Sequence, residues 1–155
     1  MASSLTLTLQ DERATQALAA RLAARARRGD VIALAGPLGS GKTSFARGFI
    51  RARCGPAEVP SPTFTLVEVY AAADAPAIWH FDLFRIETPE EAWELGIEEA
   101  FAEGISLIEW PERLGPLLPP AHLAIGFAFG RAPEERSVEI AGAAWSGRLE
   151  GLADG

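Results

Sequence analysis

Leu5, Leu7 and Leu9 alternate with Thr6 and Thr8, the two-residue period of a half-buried strand. Over residues 11–28 the period lengthens to that of a helix, with Ala14, Leu18, Leu22 and Ala26 on one face. Gly29 and Asp30 punctuate it. Residues 31–35 (VIALA) are a short continuous apolar run, as expected of a parallel strand buried on both faces. A glycine-rich loop follows, and residues 42–54 then read as a helix. The proline-rich stretch 55–62 excludes helix. Two β-rich runs, 63–70 and 77–84, flank a short turn and are expected to pair antiparallel. Thr88-Pro-Glu-Glu91 is a capping box with proline at the first helical position, so a helix is predicted from there to Gly96 and a second short one to Glu103. Residues 105–110 read as another buried strand. Residues 123–129 and 137–140 read as closing strands, and 144–153 as a last helix.

The loop between the first buried strand and its helix, GPLGSGKTS from Gly36 to Ser44, fits the pattern GxxxxGK[ST]. Glycines at 36 and 41 let the backbone curl so that successive N–H groups can face phosphate oxygens, and the helix behind adds its positive dipole end. In such a loop Lys42 bridges the β- and γ-phosphates, and the Thr43 hydroxyl takes one position on Mg²⁺. Strand, loop and helix in this order predict an α/β fold. We expect one P-loop NTPase-like domain over residues 1–155, with a mainly parallel central sheet, flanking helices and some antiparallel strands.

Such a site also needs a carboxylate at a neighbouring strand end. Asp82 and Glu109 each close an apolar run, where an ionised carboxylate is costly without a metal or partner. Pattern alone leaves open which of them serves the metal. Ser61, Thr63 and Thr65, in a loop stiffened by Pro60 and Pro62, stand where switch NTPases place a hydroxyl that follows the γ-phosphate. The base is expected to be adenine. Guanine-specific loops use Asn-Lys-x-Asp, and the chain has no Asn and no lysine beyond Lys42.

Composition narrows the picture further. A net charge of −7 argues against a primary nucleic-acid binder. One cysteine, Cys54, excludes an internal disulfide. No apolar run approaches the roughly 18 residues of a membrane span, and residues 1–13 show no signal-peptide pattern. The expected setting is cytoplasmic, without a membrane.

Together the stretches GPLGSGKTSFARG, SPTFTLVEVY, HFDLFRIETPEEAWELGIEE and LIEWPERLGPLLP resemble one family, the bacterial TsaE (YjeE) ATPases of tRNA threonylcarbamoyladenosine synthesis. The resemblance covers roughly residues 5–120. It implies that Gly39, Ser40, Gly41, Lys42, Thr43 and Ser44 cradle the phosphates of ATP, and that Thr43 and Glu109 hold Mg²⁺. It implies that hydrolysis depends on Asp82 as well as Lys42, and that Ser61 and Thr63 form a switch-like loop. Trp110 matches a tryptophan beside the metal-site glutamate, while Glu12 and Arg131 match positions near the nucleotide. Pro37 and Ser40 depart from the usual residues but keep the glycine spacing, while Pro60 stands where a basic residue is common and Phe84 replaces the usual Tyr. The family's partners would be TsaB and TsaD, with tRNA contacted indirectly through them. Arg47, Arg51 and Arg53 on the helix after the loop read as a solvated face that could touch partner or RNA. Two alternatives are a small-molecule kinase, which would need an acceptor pocket and an Arg-rich lid that no segment supplies, and a non-catalytic ATP-sensing adaptor.

Overall fold

A computed structural model describes residues 4–56, 59–62, 65–72 and 74–152. Seven strands form one sheet in the order β1-β7-β6-β2-β5-β4-β3. They are β1 (Ser4–Leu9), β2 (Val31–Ala35), β3 (Val67–Ala72), β4 (Ala75–Asp82), β5 (Ile105–Glu109), β6 (Leu123–Phe129) and β7 (Arg136–Ala141). The four central strands, β6, β2, β5 and β4, run parallel to one another, whereas β3, β7 and β1 pair antiparallel. This is the α/β architecture expected from the sequence, with antiparallel strands confined to the two sides.

Burial on both faces explains the apolar runs. Ile32 and Leu34 of β2 pack with Ile105 and Leu107 of β5 against α1 (Glu12–Ala23) and α2 (Lys42–Cys54). Val31, Phe81 and Ile108 point the other way, into a smaller core closed by Ala92, Ile97, Ala100 and Leu114. A helix layer therefore covers each face. Helix α1 begins at an N-cap, Asp11, whose carboxylate accepts from the Ala14 N–H at 2.9 Å. Its partner α2 crosses it closely at Gly48, where a Cβ would stand 2.8 Å from the Gln16 Cα.

Several boundaries differ from the sequence expectation. Helix α1 stops at Ala23 instead of reaching 28. Asp30 draws the following segment into turns by accepting from the Arg27 N–H at 2.6 Å, while the Gly29 N–H donates to the Gly104 carbonyl at 2.8 Å. Strand β3 starts only at Val67, after a turn in which the Leu66 N–H donates to the Pro62 carbonyl. Strand β4 covers 75–82, not 77–84, because Leu83 turns away to donate to the Glu109 carbonyl. Pro89–Leu95 and Ala143–Leu149 are 3₁₀ segments, and so is Pro111–Leu117, which the sequence pattern did not predict. Helix α3 (Ile97–Glu103) follows the first of these. Within the described residues no helix is long and apolar enough to cross a membrane.

Candidate nucleotide and metal site

The carboxyl ends of β2, β4 and β5 converge beside the N-termini of α1 and α2, the place where open α/β sheets bind ligands. A cleft of about 620 Å³ opens there. Gly39, Gly41, Lys42, Thr43 and Ser44 line it from the loop, Asp82 and Glu109 from the strand ends, and Ser61 from the proline-rich segment. Glu12 lines it from the first turn of α1. Residues scattered along the sequence thus share one cavity.

The loop is shaped by its backbone. Gly36 has φ 143°, and a Cβ there would come within 2.6 Å of the Phe127 carbonyl oxygen on β6. Gly39 and Gly41 also have positive φ, 78° and 108°, which an L side chain adopts only under strain. Ser40 is fully buried and does not line the cleft; its N–H donates to the Pro37 carbonyl at 3.2 Å. Of the residues expected to cradle the phosphates, Ser40 is the one whose side chain is buried away from the cleft.

Lys42 is 4% exposed. Its Nζ donates to the Gly36 carbonyl and lies 3.4 Å from the centroid of the Trp110 ring, a cation–π contact. Burial pulls the lysine below its ordinary value of 10.5, and the charges of Glu109, Glu112 and Asp82 oppose that pull. Trp110 reaches Lys42 because it leaves β5 in a left-handed conformation, φ 60°. A bulky residue there is a strained exception of the kind that clusters at functional sites.

The carboxylates sit side by side. Asp82 and Glu109 are register partners across β4 and β5 and are 5% and 3% exposed. The Thr43 hydroxyl lies 3.0 Å from Glu109 Oε1 and 3.1 Å from Oε2, a polar contact that joins the start of α2 to the end of β5. Asp82 Oδ1 accepts from the Phe84 N–H at 3.1 Å. Among the described residues no three His, Cys, Asp or Glu side chains cluster as a metal cage. A hydroxyl and a carboxylate, both hard oxygen donors, suit Mg²⁺, which takes few protein ligands and completes its shell with phosphate and water. The donors present therefore fit the ion.

Other expected residues lie elsewhere. Arg131 is exposed in the β6–β7 turn, its N–H donating to Glu135 Oε1, and does not line the cleft. Arg13 does, and so does Arg136, which reaches the Gly39 carbonyl at 3.3 Å and stacks over Phe129. Spacing could not have singled it out, because the turn between the two strands decides which arginine points back. Asp11, Pro133 and Glu134 also line the cleft without having been expected. Arg85 is exposed beyond β4 and outside the cleft. Thr63 lies outside the described residues. Arg47 and Arg53 serve the fold, donating to the Val59 carbonyl at 2.9 Å and the Ala23 carbonyl at 2.8 Å.

Strand, glycine loop and helix, with carboxylates on adjoining strand ends, define a P-loop-like α/β domain. The chain belongs to the TsaE family: the family model described as threonylcarbamoyl adenosine biosynthesis protein TsaE matches residues 9–138. It is 44% identical over 114 residues to the tRNA threonylcarbamoyladenosine biosynthesis protein TsaE of Rickettsia conorii, covering 73% of this chain and 65% of that protein. The chain thus spans slightly under two thirds of that relative's length. The protein of the same name from Bacillus subtilis is 39% identical over 112 residues, 72% of this chain and 69% of the relative. The crystal structure of YdiB from Bacillus subtilis superposes with a TM-score of 0.77 at 29% identity, covering 99% of this chain and 94% of that one.

Proposed function

We propose that this protein binds and hydrolyses ATP as an accessory in the formation of threonylcarbamoyladenosine on tRNA, working with the TsaB–TsaD pair and not as the transferase itself. Family membership supports the pathway. The observation that carries the chemistry is the meeting of Lys42, Thr43, Asp82 and Glu109 in one cleft above the glycine loop.

In this reading the loop amides and the start of α2 receive the phosphates, and Lys42 leaves the Gly36 carbonyl to bridge the two terminal ones. Thr43 and Glu109 would hold Mg²⁺, which when bound supplies positive charge to the oxygens that become more negative during transfer. Asp82, held through the Phe84 amide, orients the attacking water in line with the γ-phosphate. Ser61 closes the cleft from its proline-rich segment. The acidic chain, net −7, leaves the grip on tRNA to its partners.

The test is ATP turnover by the purified chain, alone and with TsaB and TsaD, beside a Lys42→Ala control. Stimulation by the pair that disappears in the control is the expected result. Turnover indifferent to the pair would remove the assigned partners and leave a plain ATPase. Absence of turnover under both conditions would remove the catalytic reading.

A further inference from the structure

His80 stands in the middle of β4, inside an otherwise apolar stretch, and is completely buried. The proposed reaction does not use it. Its Nε2 lies 2.7 Å from Glu109 Oε2, and its Nδ1 is buried with no hydrogen-bond partner. A carboxylate oxygen can only accept, so the ring hydrogen sits on Nε2 and is donated to Glu109. A second hydrogen on Nδ1 would be a buried donor with nothing to receive it. The unpartnered nitrogen is thus the acceptor side of a single tautomer.

The register makes this contact possible. His80 pairs with Leu107 across β4 and β5, and Asp82 pairs with Glu109, so the imidazole reaches Glu109 on the diagonal. Alternate residues of a strand share a face, so His80 and Asp82 stand on the face that Glu109 occupies on β5. Glu109 is therefore fastened from two directions. The Thr43 hydroxyl, with one hydrogen, approaches both oxygens from α2, and the His80 N–H holds Oε2 from β4. With Oε2 so held, Oε1 is the oxygen left beside the Thr43 hydroxyl.

We propose that His80 is a positioning residue, which sets the rotamer of Glu109 before a divalent cation arrives and leaves Oε1 and Thr43 Oγ1 side by side to receive it. The proposal rests on the metal role assigned to Glu109 above. The strain-free alternative for a buried histidine is a purely structural contact, and the two roles separate in what they do to metal dependence. Outer partners of metal ligands typically change metal affinity by about 10- to 100-fold when removed. A structural contact would lower binding with and without metal alike.

The experiment is calorimetric titration of the full chain with a non-hydrolysable ATP analogue, over a series of Mg²⁺ concentrations and in EDTA. His80→Leu removes the donor, and His80→Gln places an amide N–H near the position of Nε2. We expect His80→Leu to need about 10- to 100-fold more Mg²⁺ for half-maximal tightening, to match the parent in EDTA, and to be rescued by His80→Gln. An unchanged Mg²⁺ requirement, or an equal loss in EDTA, overturns the proposal. If His80→Leu fails to fold, His80→Asn takes its place, since its shorter amide reaches only the Nδ1 position, and identical Mg²⁺ curves for the Gln and Asn variants overturn the proposal. A parent chain whose affinity ignored Mg²⁺ would instead sink the proposed function, and this inference with it. A negative result confined to His80 leaves that function standing.

Discussion

The two halves of the cleft are built from different materials. On the side of β2 and α2 the loop is made of backbone: Gly36, Gly39 and Gly41 take conformations closed to other residues, and the exposed Leu38 at the apex touches little. On the side of β4 and β5 the site is made of buried side chains, with His80 bonded to Glu109 and Asp82 accepting from the Phe84 N–H. A backbone site is broken by adding atoms, because the atoms have nowhere to go. A side-chain site is broken by changing chemistry at constant shape.

Three experiments bear on that contrast. The largest effect is expected from Asp82→Asn. The amide keeps an acceptor for the Phe84 N–H, so the thermal transition and nucleotide affinity should stay near those of the parent. Turnover should fall by about 10²- to 10⁴-fold, the usual range for loss of a positioned acid or base. Turnover at the parent rate would remove Asp82 from the reaction. Next comes Gly36→Ala, which sets a methyl 2.6 Å from the Phe127 carbonyl at a strained φ. A cost on the order of 3 kcal/mol is expected, which calorimetry would read as a melting temperature lower by about 2–4 °C per kcal/mol. Leu38→Ala, at a position 82% exposed, should change neither stability nor binding. Equal losses in the two variants would show that the loop does not owe its shape to its backbone.

The most graded effect is the pH dependence that Lys42 confers, where the two halves meet. Its ammonium is held below the ordinary lysine value of 10.5 by burial, so it loses its proton at a lower pH than a free lysine. Phosphate binding needs the protonated form. Affinity should therefore hold at neutral pH and decline as pH rises, beginning below 10.5, while Lys42→Ala shows no such decline. Titration of affinity against pH checks this directly.

Much of this arrangement was legible in the chain. The run VIALA, the glycine loop and helix α2 stand where periodicity and motif put them, since parallel strands and phosphate loops have strict local rules. The strand-end acids Asp82 and Glu109 were visible because charge after an apolar run is unusual. What escaped depends on contacts between distant segments. His80 interrupts an apolar run with no period of its own, and only strand register reveals that it faces Glu109. Arg136 displaced Arg131 because the β6–β7 turn, closed by the Gly130 N–H on the Glu135 carbonyl, sets which side chain returns to the loop. The 3₁₀ segments replaced predicted helices because seven-residue stretches bounded by proline and glycine are too short for their pattern to choose the winding.

The sheet order carries a kinetic consequence. Strand β1 pairs only with β7, Ser4 against Ala141 and Leu9 against Arg136. During synthesis from the N-terminus the first strand must therefore wait, with Leu5, Leu7 and Leu9 unpaired, until nearly all the rest has been made. The parallel centre around β2 can assemble earlier, once β5 and β6 are available, and the α1–α2 pair needs only local chain. Closing β1 onto β7 is a long-range step of the kind that slows folding. The edge that forms last lies across the sheet from β4, so the carboxylate half of the cleft can be in place before the first strand docks.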